Sequence, residues 1–155
     1  MPVARPISIL YAEDDEEDRT MVLEAMKESR LANRIRTVAD GEELLEYLQR
    51  RGRHADREEG LPGLILLDLN MPRLDGREAL REIKADPRLR RIPVVVLTTS
   101  RAEEDILRTY DLGVSSFIVK PVTFDALVET VQTLDKYWFE IVELPPPVEP
   151  HGEHA

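Results

Sequence analysis

The chain has no cysteine, so disulfides and cysteine ligation of a metal are excluded; a reducing compartment suits such a chain without being required by it. It also has no apolar run near the roughly 18 residues that a membrane span needs, and no basic-then-apolar segment at its start. The simplest reading is a soluble cytoplasmic protein. Positive charge is in short supply, with 21 Lys and Arg against 31 Asp and Glu and a formal net charge of -10. A phosphate backbone is held by Lys and Arg, so this balance argues against non-specific nucleic-acid binding, and DNA is not expected as a direct partner. What is present is an ordinary apolar content of 42% in 155 residues without a low-complexity interior, enough for one domain with a real core.

Short aliphatic runs alternate with longer amphipathic stretches, the pattern of βαβ units feeding a parallel sheet with helices on both faces. The reading is an α/β, doubly wound, five-stranded parallel sheet with strands at 7–12, 35–39, 64–67, 92–97 and 116–119. Helices are expected near 17–30, 41–51, 76–85, 102–112 and 123–142. Asp40 ahead of Gly41, Glu42 and Glu43 reads as a helix N-cap with acids in the first turn. Residues 50–60, a mixed-charge stretch without apolar period, exceed the usual link of about 2 to 6 residues and read as a surface insertion, either a solvated loop or a partner contact. The end, Pro145, Pro146, Pro147, Val148, Glu149, Pro150 and then His151 to Ala155, cannot form a helix and supplies few apolar side chains. Residues 5–144 are therefore expected to form the folded domain and 145–155 an extended arm or tail.

Three of the predicted strands deliver charge at their carboxyl ends: Glu13, Asp14 and Asp15 after the first, Asp68 at the end of the third, and Lys120 after the fifth. In open parallel sheets the crevice outside those ends is where ligands bind, so these groups point to one shared site. Carboxylates gathered within a few ångströms either raise a pKa or bind a divalent cation. A hard ion that keeps waters and takes one or two carboxylates plus phosphate oxygens describes Mg²⁺. A phosphorylated substrate follows. Lys120 would offer it a point charge and Thr98, ending the fourth strand, a hydroxyl. Phosphoryl transfer needs a nucleophile, and Asp68 is best placed to become an aspartyl phosphate. Taken singly, Glu13 or Asp15 reads as a cap, Thr98 as a β-branched strand residue and Lys120 as a surface charge; the joint spacing favours the site.

The acidic pair after the first strand, Asp68 within Leu67-Asp68-Leu69-Asn70-Met71-Pro72, Thr98 thirty residues on and Lys120-Pro121 twenty-two beyond resemble the receiver domain of two-component response regulators. The resemblance covers roughly residues 7–140. It implies a flavodoxin-like sheet of order 2-1-3-4-5 with the site at the switch point between strands 1 and 3. It further implies Asp68 as phosphoacceptor, Asp14 as direct Mg²⁺ ligand, Glu13 reaching the ion through water, and Asn70 giving a main-chain carbonyl. By the same resemblance Thr98 is the switch hydroxyl, Lys120 the lysine that pairs with the phosphoryl, Phe117 the rotating aromatic and Pro121 a proline preceded by a cis bond. The donor would be the phosphohistidine of a sensor histidine kinase. Phosphorylation would then shift the population of the face made by the fourth predicted helix, the fifth strand and the last helix.

The last predicted helix carries Phe124, Leu127, Val128, Val131, Leu134, Trp138 and Ile141 at helical spacing, beyond the length a receiver body usually covers. Either these residues fold back on their own core, or Trp138, Phe139 and Ile141 with the Pro-rich arm form a homodimer, the reading preferred because an exposed Tyr137-Trp138-Phe139 cluster is unfavourable. The sequence ends about 35 residues after Lys120, so no attached DNA-binding output is expected. With the insertion and this ending, the chain resembles stand-alone regulators that partner phytochrome-type histidine kinases. The alternative function is an aspartyl-phosphate phosphohydrolase, whose usual second Asp is replaced here by Asn70. A flavin-nucleotide binder of the same fold is disfavoured because Glu13, Asp14 and Asp15 would repel its phosphate.

Overall fold

The computed structural model describes residues 8–29, 33–57, 60–68, 76–98, 116–119, 121 and 123–134. Five strands, β1 (Ile9–Ala12), β2 (Ile35–Val38), β3 (Leu64–Asp68), β4 (Val94–Thr98) and β5 (Ser116–Val119), form one sheet of order β2-β1-β3-β4-β5. Every adjacent pair is parallel. The helices among the described residues are α1 (Glu16–Glu28), α2 (Gly41–Gln49), α3 (Gly76–Ala85) and α4 (Phe124–Leu134), with a 3₁₀ turn at Gly52–His54. The helix expected over 102–112 lies outside the described residues, as does the last predicted helix beyond Leu134.

Successive side chains of a strand face opposite ways, and a sheet covered on both faces reads as a continuous apolar run. β1 and β3 show this directly. Leu10, Ala12, Ile65, Leu67, Val94 and Val96 join Leu44, Leu45 and Leu48 of α2 and Ala79, Leu80 and Ile83 of α3 in one core. Ile9, Tyr11, Leu64, Leu66, Val95 and Leu97 join Val22, Ala25 and Met26 of α1 and Leu127, Val131 and Leu134 of α4 in the other. Each helix contributes residues three or four apart, a single apolar stripe. Each large aliphatic side chain so buried contributes about 1.5–3 kcal/mol.

The boundaries have local causes. α1 starts because Asp15 caps it, accepting the Asp18 amide at 2.9 Å. At α2 the expected cap is present: Asp40 accepts the Glu43 amide at 2.8 Å while the Glu43 carboxylate accepts the Ala39 amide at 2.9 Å, which draws Ala39 out of β2. α2 stops two residues short of expectation because Arg50 adopts the left-handed conformation, φ 54°. β4 begins at Val94 instead of residue 92, since the Ile92 amide is used in a turn to Leu89 O at 3.0 Å and Pro93 has no amide to give.

The insertion is folded against α2. Arg57 is buried, its guanidinium 4.5 Å from the Tyr47 ring centroid and its Nε donating to the Tyr47 carbonyl at 2.8 Å. His54 meets the same ring edge-on and bonds Glu43 Oε2 at 2.8 Å, while Arg53 pairs with Glu46 at 2.8 Å. The stretch carries no apolar period because its packing uses guanidinium and imidazole planes.

Candidate functional site

β1 and β3 are neighbours from which the chain departs to opposite sides, to β2 and to β4, so a crevice opens between their carboxyl ends. Register decides what stands there. Ile9 pairs with Leu64, Tyr11 with Leu66 and Ala12 with Leu67; one step further, Glu13 comes level with Asp68. The rows Ile9-Tyr11-Glu13 and Leu64-Leu66-Asp68 thus run up the α1 and α4 face, apolar inside and acidic at the mouth. Glu13, Asp14 and Asp68 each present an oxygen within 4.8 Å of the others. Glu13 is 1% and Asp68 7% exposed, while Asp14 is open to solvent.

Glu13 is held in place. Its amide donates to Val38 O at 3.0 Å, the Arg19 guanidinium donates to its carbonyl at 2.7 Å, the Tyr11 hydroxyl donates to its Oε1 at 3.2 Å, and the Asp15 amide reaches its Oε2 at 3.3 Å. Burial, then the Glu13 carboxylate beside it, pushes the Tyr11 hydroxyl far above the usual phenol range, with Asp68 adding to the effect. The phenol is therefore a permanent donor. The donor set is all oxygen, two buried carboxylates and one at the rim, which fits a hard divalent cation that keeps part of its water shell.

The family model of the response regulator receiver domain matches residues 9–132. The chain belongs to the response regulator receiver family. This receiver is 41% identical over 140 residues to response regulator Rcp1 of Synechocystis sp., covering 90% of this chain and 94% of that protein. Among solved structures it resembles the phosphorylated cyanobacterial phytochrome response regulator RcpA, with a TM-score of 0.84 and 42% identity, covering 91% of this chain and 99% of that one. It also resembles the Mn²⁺-bound form of Rcp1, with a TM-score of 0.82 and 41% identity, covering 90% and 99%.

The receiver brings Glu13, Asp14 and Asp68 together. Thr98 closes β4 one residue beyond Leu97, the partner of Asp68, and Phe117 lies in β5 opposite Val96. Pro121 is half-buried; the bond before it begins at Lys120, which lies outside the described residues together with Asn70, Trp138, Phe139 and Ile141. Asp15 has the capping role that sequence allowed it. Sequence reading missed Tyr11 and Arg19. Tyr11 lies within an otherwise apolar strand, although its place two residues before Glu13 puts both on the same face. No helix among the described residues is long and apolar enough to cross a membrane.

Proposed function

We propose that this receiver is a single-domain response regulator that takes a phosphoryl group on Asp68 from a sensor histidine kinase, with Mg²⁺ bound beside it, and signals to a protein partner by a conformational switch. The observation that carries the reading is the Glu13-Asp14-Asp68 cluster, two buried carboxylates and one at the rim, at the β1–β3 crevice of a receiver. An Asp68 oxygen forms the bond to phosphorus as the phosphorus–nitrogen bond of the donor phosphohistidine breaks and its electron pair returns to the imidazole. Asp14, Asp68 and the Asn70 carbonyl would hold the ion, with Glu13 reaching it through water. When bound, Mg²⁺ supplies positive charge that offsets the phosphoryl oxygens. Lys120 adds a second positive charge and Thr98 a hydroxyl donor to the same phosphoryl. Their engagement shifts the protein toward the state in which Phe117 is withdrawn, behind a proline whose preceding bond is cis.

The finer architecture belongs to the same proposal: a flavodoxin-like domain over 5–144, with a fifth helix at 102–112, a lengthened last helix and an arm at 145–155. Likeness to the cyanobacterial phytochrome response regulator RcpA supports a phytochrome-type kinase as donor. The same proposal places the protein in the cytoplasm, the setting that suits a chain without cysteine. Trp138, Phe139 and Ile141 with the arm form a homodimer; Trp138→Ala with Ile141→Ala gives a folded monomer by sedimentation, and a monomeric wild type would defeat this part.

The deciding experiment is intact-mass analysis after incubation with acetyl phosphate, with and without Mg²⁺, on wild type and Asp68→Asn. A single Mg²⁺-dependent phosphoryl adduct, absent from the variant, is expected. No adduct would leave a phosphorylation-independent interaction module, and continuous phosphate release would mark a phosphohydrolase.

A further inference from the structure

Tyr11 has no exposed surface and sits in the core that also holds Val22, Met26, Leu66 and Leu97. A phenylalanine would fill that volume. A hydroxyl buried among apolar groups is unfavourable unless it is hydrogen-bonded, and this one lies 3.2 Å from Glu13 Oε1. With the Asp15 amide on Oε2, both oxygens of Glu13 are engaged and the carboxylate plane is set. The strand explains why: Tyr11 stands one row behind Glu13 on the same face, and Leu66, its β3 partner, stands one row behind Asp68.

We infer that Tyr11 is a positioning residue, whose hydroxyl fixes the Glu13 carboxylate and thereby sets the divalent-cation affinity of the Glu13-Asp14-Asp68 cluster. This rests on the reading of that cluster as a cation site. On that reading Glu13 reaches the ion through water, and removal of such outer-shell groups typically changes metal affinity by about 10- to 100-fold; Tyr11, acting through Glu13, belongs at the lower end of that range. Here the donor is a neutral hydroxyl, so it orients Glu13 without adding a competing positive charge at the crevice.

The test is Mn²⁺ binding by calorimetry on the full chain in four forms: wild type, Tyr11→Phe, Glu13→Ala and the double variant, with thermal melts to check each fold. Tyr11→Phe is expected to weaken Mn²⁺ about 10-fold while Glu13 is present and to have no further effect in the Glu13→Ala background. A pure packing role would act alike in both backgrounds. As an independent readout, Mg²⁺ should perturb the tyrosine ultraviolet difference spectrum of the wild type, and that signal should vanish in Tyr11→Phe. Tyr11→Met repeats the comparison with a different filling of the core. Equal Mn²⁺ affinity in wild type and Tyr11→Phe overturns the positioning role and leaves the cation site standing. A wild type that binds no Mn²⁺ overturns both.

Discussion

At the crevice between β1 and β3, Glu13, Asp14 and Asp68 place oxygens within 4.8 Å of one another. Along α2 and the turn beyond it, Glu43 and Glu46 meet His54 and Arg53 at 2.8 Å. Both regions are rich in charge and both follow a sheet strand, yet their logic is opposite. At the crevice three carboxylates are gathered, with the Tyr11 phenol, the Asp15 amide and the Arg19 guanidinium fixing Glu13, an arrangement that favours an added cation. Along α2 Glu43 and Glu46 both meet Arg53, and Glu43 also bonds the His54 ring, which ties the insertion to the helix. Mutual repulsion kept in place by the fold marks a site for something else to bind; mutual attraction marks structure.

The sharpest separation of the two regions is a pair of measurements in Mg²⁺. If the ion binds only the folded protein, Mg²⁺ at 100 times its dissociation constant stabilises wild type by about 2.7 kcal/mol. Asp14→Asn should remove most of that gain, and Glu43→Gln should keep it whole, both read as the Mg²⁺-dependent change in urea unfolding. A Glu43→Gln protein that no longer responds to Mg²⁺ would break the comparison. Next in size, Glu43→Gln should cost about 1–2 kcal/mol without Mg²⁺, because the acid joins the Ala39 amide, the His54 ring and Arg53, while leaving the proposed phosphoryl transfer to Asp68 unchanged. Stability equal to wild type would mean the insertion is merely solvated.

The smallest effect is its pH dependence. Burial raises the Glu43 pKa, but the Ala39 amide, the His54 ring and Arg53 together outweigh it and hold the carboxyl below its ordinary 4.5. The stabilisation is therefore fully present above pH 4.5 and is lost as the pH falls through the lower folded-state value. The stability difference between wild type and Glu43→Gln should narrow on acidification from pH 5.5 toward 3.5, by on the order of 1 kcal/mol or less for this partly exposed group. A difference that widened would reverse the sign assigned to Glu43.

Much of this is legible in the sequence. The parallel sheet, Asp68 at the mouth of β3, and the Asp15 and Asp40 caps follow from apolar runs that end in acids and from acids that precede helices. The turn from Ile92 to Pro93 was readable in principle, since proline cannot donate, but the run of aliphatic residues through 97 masked it. Two things were less visible. Period and composition do not register a guanidinium or an imidazole meeting an aromatic ring, so the segment that packs Arg57 and His54 on Tyr47 reads as a surface insertion, either a solvated loop or a partner contact. A tyrosine within an apolar strand looks like core, and only the register that brings Glu13 level with Asp68 gives its hydroxyl a purpose.

That register has a consequence for how the protein can be watched while it folds. Glu13 and Asp68 lie 55 positions apart in the chain and become neighbours only when β1 and β3 pair in the one correct alignment. A slip of a single residue turns each side chain to the opposite face, sending the acid of one strand into the α2 and α3 core and scattering the oxygens. A divalent ion added during refolding would then serve as a proofreader of strand alignment: its uptake would report the moment the two central strands lock in step, with no label attached to the protein.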